Sequence, residues 1–205
     1  MAKKIALEMR KGSTIAIPLR IESQTLIYKP ITGISLTAPI EIEAPGHGLA
    51  DGWKAAVMNA GGTRQINATG NPPADSEFHV ATVVDADNIQ FNNINATGYT
   101  AYTSGGHLVY YAPVDLSAFA SARMTVKNRV GGTEIASFTT ANGGLELEPA
   151  TNTLWILMEA ADSAAITAKK GVFDIELIDA SGNVNPDGDF CAAESTITFL
   201  HEITT

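Results

Sequence analysis

The sequence predicts an all-β protein: an antiparallel sandwich with a small β-barrel inserted into it. Three observations lead there. Short runs of alternating apolar and polar residues recur along nearly the whole chain, the period-2 signature of half-buried strands. Glycine and asparagine punctuate these runs, as tight turns require. Residues 38–111 differ in texture, being rich in Asn, Thr, Gly and Ala and holding three of the four histidines.

The elements follow in order. "STIAIPLRIE" aligns Ile15, Ile17, Leu19 and Ile21 on one face, and Pro18, with no N–H to give, suits an edge. "PIEIEA" repeats the alternation with Ile40 and Ile42. "SEFHVATVV" sets Phe78 and Val80 on one face and turns His79 toward solvent. "DNIQFN" is a short strand begun by an Asp-Asn turn, and "ARMTVKN", "EIASFTT", "GLELE" and "TLWILME" follow at short spacing. "GVFDIELID" lines up Phe173, Ile175 and Leu177, and "STITFLHEI" closes the pattern with Ile197 and Phe199. Only "DSAAITAK" reads briefly as helix. Pro113 in "YYAPVDL" stiffens a junction. The expected organisation is residues 1–37 as the first sandwich strands, 38–111 as the inserted barrel and 112–205 as the remaining strands. The first strands cannot bury an apolar face alone and need the C-terminal half.

Composition excludes several classes. At 205 residues and 45% hydrophobic, the chain can bury a real core. A net charge of −9 repels phosphate backbones, so no nucleic-acid partner is expected. The longest apolar stretch, "TLWILMEAA", is far too short to cross a bilayer, and "IALEMRKG" is too polar for a secretory signal core. The expectation is synthesis and retention in a cytosol-like compartment until assembly, with no membrane partner. The lone Cys191 permits neither an intrachain disulfide nor a cysteine-based zinc site.

Two stretches carry resemblances. From "VDLSAFASARMTVKN" onward the chain runs through a Gly-Gly hairpin, two short strands and the "GVFDIELIDASGNV" hairpin to a final strand, and "KGSTIAIPLRI" supplies a "G-x-T/S-x-x-I-x-L" opening. This resembles the immunoglobulin-like antiparallel sandwich of tailed-bacteriophage virion proteins, including baseplate and tail accessory types. In the middle, His47, Gly48, Leu49, Gly52, Gly62, Asn67, Val80, Asp85, Asp87, Ile89 and Phe91 fit a spaced pattern. That pattern is similar to a small β-barrel repeat of phage tail proteins and to the first catalytic-cysteine half-domain of ubiquitin-activating enzymes. The chain departs from it at Trp53-Lys54-Ala55 and by an extra "NATGNPPADS" loop before Phe78. The resemblance implies a virion structural protein of tail, neck or baseplate and no enzymatic activity.

Several residues suggest sharper chemistry. His47 in "HGLADGW" lies between two glycines; it caps its own turn in the preferred reading and is a binding or catalytic group otherwise. "NVNPDGDFCAAE" overlays a calcium loop, with Asn183, Asn185, Asp187 and Glu194 as ligands and Gly188 at the sharp turn. Asn at the first position, Pro186 and the preceding hairpin favour a solvated loop instead. His47, His79 and His107 are a possible three-histidine metal site only if folding gathers them. The two "NAT" triplets are expected to be turns. Glu146 and Glu148 share a strand face and are expected to be solvated. Trp53, Tyr99, Tyr102, Tyr110 and Tyr111 fill cores or interfaces, or, where exposed, stack on sugar rings.

The expected protein is therefore a non-enzymatic virion component without a cofactor. It assembles in the bacterial cytoplasm through contacts with other virion proteins and with copies of itself as a symmetric homo-oligomer. The alternatives are a carbohydrate- or receptor-binding adhesin module and a capsid decoration protein.

Overall fold

The computed structural model describes residues 4–185 and 195–201. In chain order the strands are β1 (Ala6–Arg10), β2 (Ile15–Arg20), β3 (Glu22–Pro30), β4 (Gly33–Ser35), β5 (Ile40–Glu43), β6 (Lys54–Met58), β7 (His79–Val83) and β8 (Asn88–Phe91). They continue with β9 (His107–Pro113), β10 (Phe119–Lys127), β11 (Glu134–Thr139), β12 (Leu145–Glu148), β13 (Thr153–Met158), β14 (Lys170–Asp179) and β15 (Ser195–Leu200). A six-residue helix, α1 (Ala160–Ala165), lies between β13 and β14. The protein is all-β, and among the described residues no helix is long and apolar enough to cross a membrane.

The chain divides into two compact units, one of residues 1–23 with 113–205 and one of residues 24–112. The division at Ser23/Gln24 precedes the change of composition at residue 38, because β3 and β4 join the middle sheet.

The first unit is sandwich-like. A five-stranded sheet of order β1-β15-β14-β10-β11 and a three-stranded sheet of order β12-β13-β2 feed one apolar cluster. Leu7, Met9 and Ile15 from the start of the chain meet Phe138, Ile156, Phe173 and Ile197 there, so the early strands bury their apolar faces against the later ones. β14 shows the cause most clearly. Gly171, Phe173, Ile175 and Leu177 alternate buried with half-buried neighbours, as a pleated strand with one core face must. β2 is an edge, and exposed Pro18 stands opposite Trp155. β1 pairs in parallel with β15, Ala6 opposite Thr196 through Arg10 opposite Leu200.

The middle unit is one seven-stranded sheet of order β3-β9-β6-β7-β8-β5-β4 around a second cluster. Its order runs from β3 to β4 without closing, a half-barrel where a closed small barrel was expected. Ile40, Ile42, Ile89 and Phe91 are fully buried in it, following the alternation of "PIEIEA" and "DNIQFN". The faces of β7 are the reverse of expectation. Ala81 is fully buried, His79 is half-buried against Phe91 and Val80 is exposed. The core position here takes an alanine because the bulky Phe91 lies directly opposite it in the ladder.

Candidate functional site

The site most suggestive of chemistry is the turn around His47. Gly46 at φ +61° and Gly48 at φ +69° let the chain reverse where a side chain would be strained. The reversal carries the imidazole inward to 1% exposure. The N–H of Leu49 donates to His47 Nδ1 at 3.0 Å. A backbone N–H needs a bare acceptor, so the ring proton is on Nε2, which donates to the carbonyl of Asp85 at 3.0 Å. The hydroxyl of Tyr110, itself in the core, donates to the His47 carbonyl. Both ring nitrogens are thus spent on backbone.

The partner turn is built for this. Asp85 Oδ1 accepts the N–H groups of Asp87 at 2.8 Å and Asn88 at 2.9 Å, and these bonds, the Asp87 amide foremost, hold its carboxyl below the ordinary range. Asp87 Oδ1 accepts the N–H of Gly46 at 2.9 Å, and the Asp87 carbonyl accepts that of Ala44 at 2.7 Å. Asp51 Oδ1 accepts the N–H of Val83 at 3.0 Å. Residues 44–52 and 83–88 are therefore laced together, and the spaced His-Gly and Asp-x-Asp motifs are two halves of one fastening. Replacing His47 by phenylalanine keeps the ring volume but leaves the Leu49 amide and the Asp85 carbonyl unpaired. The expected cost is about 2–4 kcal/mol, read as a lower denaturant midpoint.

A second fastening holds the loop between β6 and β7. The Asn67 side chain pairs with both backbone groups of Ala60, accepting from its N–H at 2.9 Å and donating to its carbonyl at 3.0 Å. That engagement places the first "NAT" asparagine in a loop fastening. In the second, Asn95 Oδ1 accepts from the Thr97 amide and hydroxyl in a local turn. Glu77 accepts the N–H and hydroxyl of Thr69 and the N–H of Ala74, each at 2.7 Å. These bonds, the Thr69 amide first, lower the Glu77 carboxyl from 4.5 to about 2. The folded value lies below the unfolded one, so this stabilisation is complete above pH 4.5 and lost as pH falls through about 2. Amide resonances of Thr69 and Ala74 are expected to titrate with a midpoint near 2, and Glu77→Gln to abolish that titration while loosening amide protection in residues 67–78 at neutral pH.

The remaining candidates disperse. His79 Nδ1 lies 3.2 Å from Asn93 Nδ2, and burial lowers its pKa. His107 is exposed, edge-on to Tyr28 at 6.1 Å. Among the described residues no group of three or more His, Cys, Asp or Glu could hold a metal ion. Of the calcium-loop residues, Asn183 donates from its side chain to Asp179 Oδ2 at 2.8 Å, and Asn185 Oδ1 accepts the N–H of Leu177 at 2.8 Å. Both serve the end of β14; Asp187, Gly188 and Glu194, with Cys191, lie outside the described residues.

The aromatic candidates form no common platform. Trp53 and Tyr110 are in the middle core, and Tyr99 is half-buried against it. Tyr102 Oη shares its proton between the carbonyls of Ile31 at 2.9 Å and Gly105 at 3.0 Å. Tyr111 stacks on Phe78 with centroids 5.5 Å apart. Glu148, expected to be solvated, instead accepts the indole N–H of Trp155 at 2.9 Å and the hydroxyl of Thr151 at 2.8 Å. These bonds, the indole first, lower its pKa.

Sequence reasoning missed Tyr110 as the third member of the His47 fastening, and missed Glu77 as the clasp of its loop. The Asp-x-Asp-Asn spacing at 85–88 was a usable sign of a side-chain-capped turn; nothing local marks Tyr110. No known protein-family model matches the chain, and no curated protein matches it in sequence.

Proposed function

We propose that the chain is a structural protein of a tailed-bacteriophage particle, a tail, neck or baseplate component whose work is done by contact surface. The strand order of the first unit carries this reading. An immunoglobulin-like sandwich sets its second, fifth and fourth strands in one sheet and its third, sixth and seventh in the other. Counting β2 as the second, β10 as the third and β12 to β15 as the fourth to seventh gives that order for six strands; β11 is added beside β10, and β1, the first, lies beside β15 rather than in the sheet of β2. The whole middle unit then occupies the connection from second to third strand. Such a sandwich with an inserted β unit is what the sequence resembles in phage virion proteins.

The side chains with most chemical potential, His47, Asp85, Glu77 and Glu148, are each committed to holding backbone or neighbouring side chains. That investment suits a rigid building block. In a particle, many copies make individually weak contacts effective, and the partners are copies of this chain and other virion proteins, assembled in the bacterial cytoplasm.

The test is quantitative mass spectrometry of purified particles from a phage that encodes the chain. A fixed copy number per particle is the expected result. Particles free of the chain, from lysates that contain it, would overturn the reading; saturable binding of the purified chain to a glycan array would replace it with the adhesin alternative.

A further inference from the structure

We propose that the basic end of the five-stranded sheet docks onto the acidic turn end of the middle unit in a second copy of this chain, head to tail. This names a partner for the assembly role above and rests on that reading.

The register gathers the basic end. Arg10 closes β1 opposite Leu200, Lys170 opens β14 opposite Thr198, and Lys127 closes β10 opposite Val172. Lys169 is tied to the same rim by its carbonyl, which accepts the N–H of Phe199 at 2.9 Å. Arg129 lies in the β10–β11 turn, where its carbonyl accepts the N–H of Gly132. Arg10, Arg129, Lys169 and Lys170 are exposed and Lys127 half-buried. Glu134 stands opposite Lys127 and Glu8 shares the row of Lys170; Glu159 precedes α1 and Asp162 lies in its first turn, and α1 is tied to the β1–β2 turn by the Ser163 hydroxyl, which donates to the Ser13 carbonyl at 2.8 Å. Among the described residues the strand ends and the β10–β11 turn of this rim thus carry five basic side chains against two acidic ones, in a chain of net charge −9. At its tip is Val130, 64% exposed.

The turn end of the middle unit has the opposite character. Glu43, Asp51, Asp85 and Asp87 are exposed there, with Lys54 at the start of β6 as the nearby base in sequence. The hydrogen bonds that lace residues 44–52 to 83–88 hold the three aspartates in place, and Glu43 stands opposite Asn88 in the β5–β8 ladder. Val84 stands among them, 50% exposed.

Each end therefore offers an exposed valine beside charges of which one sign is in excess, and the signs in excess are opposite. An apolar contact inside a charged rim is the pattern of a protein interface. Inorganic polyphosphate has no apolar group to set against Val130, which favours an acidic protein surface over it as the occupant, and the chain carries a matching one itself. Because the two ends are different surfaces, the contact is heterologous and propagates into a ring or a filament.

The experiment is sedimentation velocity of the full chain in salt of about 0.01 M and about 1 M, where screening lengths are about 30 Å and 3 Å. Wild type is expected to form concentration-dependent oligomers in low salt that dissociate in high salt. Arg129→Glu combined with Lys169→Glu and Lys170→Glu is expected to abolish them. So is Glu43→Lys with Ala86→Lys, which spares the hydrogen-bonded aspartates. Mixing the two variants is expected to restore a salt-sensitive 1:1 complex, which no unfolded variant could give. A wild-type monomer at every salt and concentration overturns the proposal, as do oligomers that survive both charge reversals. Salt-sensitive retention on immobilised polyphosphate by a chain that stays monomeric overturns it in favour of a phosphate polymer. A chain counted in particles yet monomeric in low salt would sink this surface and leave the assembly role standing. Self-association of a chain missing from particles would do the reverse.

Discussion

Replacing Phe173 by alanine is expected to lower the stability of the sandwich unit by about 3–5 kcal/mol. The ring is 1% exposed and lies in the cluster that joins both sheets. On one side of β14 Phe173 stands opposite Val126 of β10, and on the other it meets Ser195 of β15. The scaffold at that point is fixed by ladders on both edges, so it has little freedom to collapse into the space vacated. The two tryptophans make the measurement specific, because Trp155 is on β13 of the sandwich and Trp53 is in the middle core. In a Trp53→Phe background, the emission of Trp155 should report the transition at markedly lower denaturant. An unchanged midpoint would mean that Phe173 is not where the core places it.

Gly62→Ala is expected to be at least as damaging to the middle unit. Gly62 has φ +82°, and a Cβ there would fall 2.0 Å from the carbonyl oxygen of Ala101 and 2.9 Å from the amide nitrogen of Thr103. Both obstacles are backbone, and that backbone is tied down. Thr103 N–H donates to the Gly61 carbonyl and Gly61 N–H to the Ser104 carbonyl, each at 2.9 Å. Separation of the two segments costs these bonds as well as conformational strain, about 4–5 kcal/mol or more. Trp53, 2% exposed in the folded unit, should show it as red-shifted emission in a Trp155→Phe background. Gly143→Ala is the control. Gly143 has φ +75°, and a methyl group added there would meet nothing within 4 Å, so only the left-handed strain of about 1–2 kcal/mol should appear.

The strands that sequence shows best are those with one dry face and one wet face. β14, β2, β5 and β8 have that character, and their alternation is visible residue by residue. β3 is different. Its burial runs without period through Glu22–Pro30, so no face announces itself, and its membership of the middle sheet is set by pairing with β9 far along the chain. Alternation also assigns residues to faces without saying which face is inside. That is why His79 and Val80 are exchanged: apolarity suggested valine inward, whereas the face of β7 that meets Phe91 is the one carrying His79 and the small Ala81. At the candidate site, the turn role of His47 is legible from its flanking glycines. Its hold on Asp85 and its bond from Tyr110 span 38 and 63 residues of sequence, and no local pattern encodes a contact of that range.

The entry and exit strands of the middle unit, β3 and β9, are hydrogen-bonded neighbours. The chain therefore departs and comes back through a gap of about one strand spacing, roughly 4.8 Å. A hairpin turn bridges such a gap, so recombination could delete, trade or enlarge this cassette without redrawing the host's ladder. Lineages carrying the same outer framework would then differ most in what hangs between Ser23 and Pro113.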